Sequence, residues 1–228
     1  SIGVATATLF MIEASMHIPP GYALFIPAAI REHVELPVIG VGRFKDPLQA
    51  ERALEEGACD LVGVVRGQIA DAEFAAKARA GHVDDIRLCL SCNQECVGRM
   101  GLNRWLGCIE NPATGREALL AEASTGPGAV HLTPRRRKVL VVGAGPGGLQ
   151  TAIAAGRSGH SVTVVEANSA AGGQVALAAS VPNRAEFGDM IRNQLSEAAR
   201  LGVSIEYGTR LDIAGVRAFG ADDVVIAT

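Results

Sequence analysis

The sequence predicts an α/β chain of parallel strands arranged in two successive units, and three observations carry that prediction. Short β-branched runs alternate with helix-period segments up to about residue 85, the pattern of consecutive βα units with right-handed crossovers. A second alternation starts at Lys138, where a strand meets a helix through the glycine-rich turn GAGPGG. Between them, residues 113–137 are dominated by Ala, Gly, Ser, Thr and Pro, the composition of a linker. The 228 residues, 48% of them hydrophobic, suffice for two modest cores.

Taken in order, SIGVA reads as the end of an early strand, followed by a long loop and the helix FIPAAIREHV. PVIGV, residues 37–41, is a buried parallel strand and GRF its loop. Asp46 then serves as N-cap with Pro47 in the first turn, and the helix LQAERALEE stops at Gly57, the residue type that favours the C-terminal cap. DLVGVV, residues 60–65, is the next strand, RGQIA its loop, and residues 71–80 a helix closed by Gly81. Residues 86–112 hold four of the five cysteines and the only tryptophan, and read as a compact loop-and-turn segment. From 138 come the strand KVLVVG, the glycine turn, the helix LQTAIAAGRSG and the strand SVTVVEA. A helix around 184–200 and the strands VSIEYG and DVVIAT complete the chain. The expected domains are therefore 1–85, 86–112, 113–137 as linker and 138–228.

A formal charge of -3 and a pI near 6.0 give no electrostatic reason to expect a nucleic-acid partner. The run Arg135-Arg136-Arg137-Lys138 reads as a solvated face. No apolar run approaches the roughly 20 residues of a membrane span, and no signal peptide is visible, so the expected compartment is cytoplasmic. There, clustered cysteines are metal ligands or redox groups more often than disulfides. A start inside an apolar stretch and an end on VVIAT lead to the expectation that the sequence is a fragment.

Three places carry chemistry. The first is the pair of arginines that follow the strands, Arg43 and Arg66, at the strand ends where parallel α/β barrels build their sites and often hold a phosphate. A guanidinium takes two phosphate oxygens at once, with amides such as that of Gly42 completing a cradle; the alternative is two surface arginines. The second is the turn Gly143-Ala144-Gly145-Pro146-Gly147-Gly148, in G-x-G-x-x-G register. Its glycines allow the tight turn, the approach of a pyrophosphate and close helix packing, and Glu166, ending the next strand 23 residues on, suits a ribose. The third is Cys89-x2-Cys92-x3-Cys96-x11-Cys108. Three close thiolates and one remote favour a [4Fe-4S] cube over zinc, which usually takes two separated pairs, although zinc stays open on spacing alone. Cys59, beside an apolar strand, reads as a core thiol.

The segment AAGGQ after Glu166 and the ending ADDVVIAT resemble the FAD-binding half of the disulfide-reductase-like flavoproteins, which implies that Gly173 and Gln174 lie near the nucleotide. More broadly, GVGRFKDP, LVGVVRGQIAD, DDIRLCLSCNQECVG, CIENP, VLVVGAGPGGL and VVEANSAAGGQ resemble the iron–sulfur flavoprotein family of 2,4-dienoyl-CoA reductase and trimethylamine dehydrogenase, in the Old Yellow Enzyme lineage. The resemblance implies the C-terminal part of a TIM (β/α)8 barrel, a [4Fe-4S] segment and a Rossmann-like FAD/NAD(P)-binding domain. It implies FMN phosphate held by Gly42, Arg43, Arg66 and the backbone of Val65, a cluster on Cys89, Cys92, Cys96 and Cys108, and FAD or ADP at Gly143–Gly148, Glu166, Gly173 and Gln174. The implied activity passes electrons between NAD(P)H and a small-molecule substrate at FMN, by reduction of an activated C=C bond as in dienoyl-CoA reduction. Oxidation of a secondary or tertiary amine is the alternative, and an electron-transfer module without its own substrate is another. No acid or base is assigned; His17, in SMHIPP, faces substrate or, more in keeping with its type, the surface.

Overall fold

In the computed structural model, which describes residues 13–119 and 135–228, strands run parallel in both of the units into which the chain divides at Arg116 and Glu117. The expected strand at SIGVA and residues 120–134 of the expected linker lie outside the described residues.

In the first unit, α1 (Phe25–Arg31) leads to β1 (Ile39–Gly40), α2 (Pro47–Glu55), β2 (Leu61–Val62), α3 (Arg66–Ala70), α4 (Phe74–Arg79) and α5 (Val97–Gly101). β1 and β2 pair in parallel, Ile39 with Leu61 and Gly40 with Val62. The start of α2 is fixed as the sequence dictates: Asp46 accepts the Leu48 amide at 2.8 Å and Pro47 occupies the first turn, where its missing N–H costs nothing. Phe44, Ala50, Ala53 and Cys59 form the small core beneath this helix, so Cys59 is a packing thiol. Two expectations need correction. The strands are shorter than PVIGV and DLVGVV, because Ile39, Val41, Leu61 and Val65 are exposed and no neighbour extends their ladder among the described residues. RGQIA is not a loop but the one-turn helix α3, since the amides of Gln68 and Ile69 both return to the Val65 carbonyl. That turn is fastened by Asn111 Nδ2 and Thr114 Oγ1, which donate to the Ile69 carbonyl at 3.1 and 3.0 Å.

The second unit is a four-stranded parallel sheet of order β5-β4-β3-β6, with β3 (Lys138–Val142), β4 (Ser161–Val165), β5 (Ser204–Glu206) and β6 (Asp223–Ile226). Helices α6 (Pro146–Arg157), α7 (Gly173–Ala179), α8 (Gly188–Arg200) and α9 (Ile213–Ala218) connect the strands, with α7 and α8 both between β4 and β5. Leu140 and Val141 are adjacent on β3 and both fully buried, as a central parallel strand covered on both faces requires. α6 packs Leu149, Ala152 and Ile153 inward, spacings that lie on one helical face. Because β4 lies on one side of β3 and β6 on the other, strand order reverses beside β3. In open α/β sheets the carboxyl ends of the strands at such a point are where ligands bind.

Candidate functional site

The wall built around the two arginines belongs to the first unit. Gly42 lets the chain at Gly21 come close: the Gly21 amide donates to the Gly42 carbonyl at 2.7 Å, and a Cβ on Gly42 would stand 3.2 Å from Gly21 Cα. The next residue, Arg43, is buried to 7% exposure with φ 61, a left-handed backbone that costs an L-residue about 1–2 kcal/mol. Such strain gathers at functional sites. The charges of both arginines reach the Tyr22 phenol. Burial raises its phenol pKa, Arg66 pulls it down, Glu13 pushes it up and Arg43 pulls it down again, with a net rise. Val65 stands exposed at the N-cap of α3, and His17 is exposed on the surface.

Arg66 turns toward the cysteines. Its Nη1 donates to the Ala14 carbonyl at 2.7 Å and to Asn93 Oδ1 at 2.5 Å, while Nε lies 3.9 Å from Glu13 Oε2. Together with Cys89, Cys92, Cys96 and Cys108, it lines one pocket. All four thiols are free of disulfides. Backbone amides aim at them: Ser91 N–H donates to Cys89 Sγ at 3.3 Å, and amides of Gln94 and of Asn111 and Glu110 serve Cys92 and Cys108. Ser91 (φ 50) and Asn93 (φ 58), both left-handed, turn the chain so that these donors face inward.

Burial raises the Cys89 thiol, against the Ser91 amide and the charges of Arg66 and Lys45. Burial likewise pushes the Cys92 thiol up to about 11 and raises Cys108. Loading a metal here therefore releases protons. Among the described residues, no group of three or more His, Cys, Asp or Glu side chains is arranged to hold a metal ion. Outside the pocket, the Arg99 guanidinium lies 4.5 Å above the Trp105 ring and Arg116 5.7 Å from it, and Arg99 pairs with the pocket residue Glu95.

In the second unit the glycine turn sits where strand order reverses. Gly143 has φ 107, and a Cβ there would lie 2.5 Å from the Ala227 carbonyl oxygen, so the chain just past β6 presses directly on the turn. A Cβ on Gly148 would overlap the Gly143 carbonyl, which seats α6 against β3. At Gly145 and Gly147, by contrast, a Cβ would meet nothing within 4 Å. That open side lies above the first turn of a twelve-residue helix, where backbone amides and the helix dipole favour negative charge. The Gly172 amide donates to the Ala144 carbonyl at 2.9 Å and Gly173 packs on Gly145, bringing AAGGQ to the turn; Gln174 is exposed in the first turn of α7.

Glu166 Oε2 accepts the Ala144 amide at 2.8 Å, and Oε1 accepts both the Asn168 amide and its Nδ2 at 2.8 Å. Burial would raise this carboxyl, but the amides of Asn168 and Ala144 and the Asn168 side chain hold it below its ordinary value. The acid predicted to meet a ribose thus also braces the turn. Asn93 and Tyr22 were not legible as site residues, because their roles arise from partners far away in sequence.

Residues 15–85 match the NADH:flavin oxidoreductase / NADH oxidase family, and residues 137–228 match the pyridine nucleotide-disulphide oxidoreductase family. The chain is 36% identical, over its whole length, to 34% of an NADH oxidase from Thermoanaerobacter brockii. It is 40% identical over 97% of its length to 31% of an N,N-dimethylglycine/sarcosine dehydrogenase from Chromohalobacter salexigens. Among solved structures, 94% of it superposes on 32% of a 2-naphthoyl-CoA reductase in complex with 2-naphthoyl-CoA, with a TM-score of 0.85 and 30% identity. The chain therefore spans about a third of the length of the proteins it resembles.

Proposed function

From the premise that this chain belongs to the NADH:flavin oxidoreductase flavoprotein family, we propose that it is the part of an FMN, [4Fe-4S] and FAD oxidoreductase that seats the FMN phosphate, the cluster and the adenine nucleotide. The observation that carries this reading is the single pocket lined by all four cysteines and by Arg66, a residue of the candidate phosphate wall. Donor chemistry fits: four thiols of one pocket, with backbone amides directed at three of them, match thiolate ligation of a cube. When bound, FMN supplies hydride chemistry, the cluster one-electron transfer and FAD the exchange with NAD(P)H.

The chain's own residues would do the rest. Arg43, Arg66 and the Gly42 backbone hold the FMN phosphate, and the Val65 backbone stands at the same loop. Cys89, Cys92, Cys96 and Cys108 ligate the cluster. The amides of Gly145, Gly147 and Gly148 would serve the pyrophosphate, Ala144 and Pro146 shape the turn, Glu166 accepts from a ribose, and Gly173 and Gln174 lie near the nucleotide. ADP in place of FAD uses the same residues.

For the whole protein, reduction of an activated C=C bond such as that of an enoyl or dienoyl thioester is the leading reading, supported by the likeness to the 2-naphthoyl-CoA reductase. Oxidative dehydrogenation of a secondary or tertiary amine is the second, favoured by the 40% identity to the dimethylglycine/sarcosine dehydrogenase. Anaerobic purification followed by iron, sulfide and flavin analysis tests the cofactor set. Broad visible absorption bleached by dithionite is expected, and a colourless protein with one zinc per chain overturns it. NAD(P)H oxidation by thioester alkenes, set against flavin reduction by methylated amines, decides between the substrates.

A further inference from the structure

We propose that Asn93 is a positioning residue that holds Arg66 at the wall shared by the phosphate site and the cysteine pocket, so that the two sites are electrostatically linked. The inference rests on the cofactor reading above and goes beyond it by assigning a residue and a coupling. Asn93 lies between Cys92 and Cys96 with a left-handed backbone, which Asn tolerates better than other side chains that carry both a donor and an acceptor. Its carbonyl accepts the Gly98 amide at 2.9 Å, fixing the start of α5. The side chain then spends both ends on the first unit's interior: Oδ1 accepts from Arg66 Nη1 at 2.5 Å, and Nδ2 donates to the Glu13 carbonyl.

Arg66 is thereby fixed by three groups, Asn93, the buried Ala14 carbonyl and the nearby Glu13 carboxylate, with its side chain only 14% exposed. A guanidinium so held loses little entropy on meeting a phosphate and lends a fixed positive charge to the pocket behind it. Asn suits this place better than Asp. A carboxylate offers no donor to the Glu13 carbonyl and would cancel the charge of Arg66.

The test uses the full chain, purified anaerobically, with the FMN Kd measured by fluorescence quenching and the cluster's reduction potential by dye-coupled titration. Asn93→Ala is expected to raise the FMN Kd about tenfold, the worth of one hydrogen bond to a charged group, and to lower the cluster potential while iron content stays at the wild-type value. Because Asn93 acts through Arg66, both effects should vanish when the substitution is made in an Arg66→Ala background. Effects that persist in that background, or a variant indistinguishable from wild type in both readouts, overturn the proposal. Should Asn93→Ala fail to fold, Asn93→Asp replaces it: weaker FMN binding supports the link and wild-type affinity overturns it. Wild-type protein without iron or FMN affinity refutes the cofactor reading itself, whereas loaded wild type with unaffected variants refutes this inference alone.

Discussion

Replacing Gly145 and Gly143 in turn separates the nucleotide cradle from the fold that supports it. Gly145 has φ -72 and open space where a Cβ would go, so Ala costs only the difference between the two as N-cap, below about 1 kcal/mol. Its methyl group would nevertheless occupy the place of the pyrophosphate. Losing one charge-assisted contact to the helix amides is worth about 1.5–3 kcal/mol, roughly a ten- to hundred-fold rise in Kd. At Gly143, with φ 107 and Ala227 oxygen 2.5 Å from an added Cβ, Ala incurs about 1–2 kcal/mol in the backbone and about 1–3 kcal/mol in overpacking. A loss on the order of 10 °C in Tm follows for a unit of this size. Calorimetric titration with ADP and thermal denaturation followed by circular dichroism read the two effects separately. Gly145→Ala with wild-type ADP affinity would refute the assignment of this turn to a pyrophosphate.

Other consequences are as direct. Cys92→Ser should abolish cluster assembly, and unchanged iron and sulfide content would remove Cys92 from the ligand set. Arg43→Ala should raise the FMN Kd at least about tenfold, since it deletes a buried guanidinium from the phosphate wall; equal affinity by quenching titration would refute the role. Asp71 accepts Lys77 Nζ at 2.7 Å, the Arg87 amide at 2.9 Å and the Glu73 amide at 3.0 Å. Burial would raise its carboxyl, but these partners hold it below the usual range. A depressed folded pKa stabilises above the unfolded value, and that contribution is lost as pH falls through the folded one. Asp71→Asn should therefore destabilise by about 1–3 kcal/mol at pH 7 and by progressively less below about pH 4, as denaturant unfolding at several pH values would show.

What could be read from the sequence was local. Asp46-Pro47 announced α2, and the spacing of Gly143, Gly145 and Gly148 announced a strand-turn-helix with one open side. The cysteine spacing foretold that four thiols would share a place. What escaped was tertiary. RGQIA carries no helical period in five residues and is helical because Asn111 and Thr114, more than forty residues later, satisfy its end. Short α7 and α9 have too few turns to show periodicity. Asn93 looks like any polar loop residue until Arg66 and Glu13 arrive from other segments. Glu166 was legible as an acid at a strand end, but its grip on the Ala144 amide was not.

Trp105 is the only tryptophan in the chain, stacked under Arg99, whose partner Glu95 lines the cysteine pocket. Its emission is therefore a single-residue optical signal from the neighbourhood of those thiols. A chromophore in the pocket that absorbs in the near ultraviolet will drain that excitation, so filling and emptying can be timed in the native chain without any attached dye.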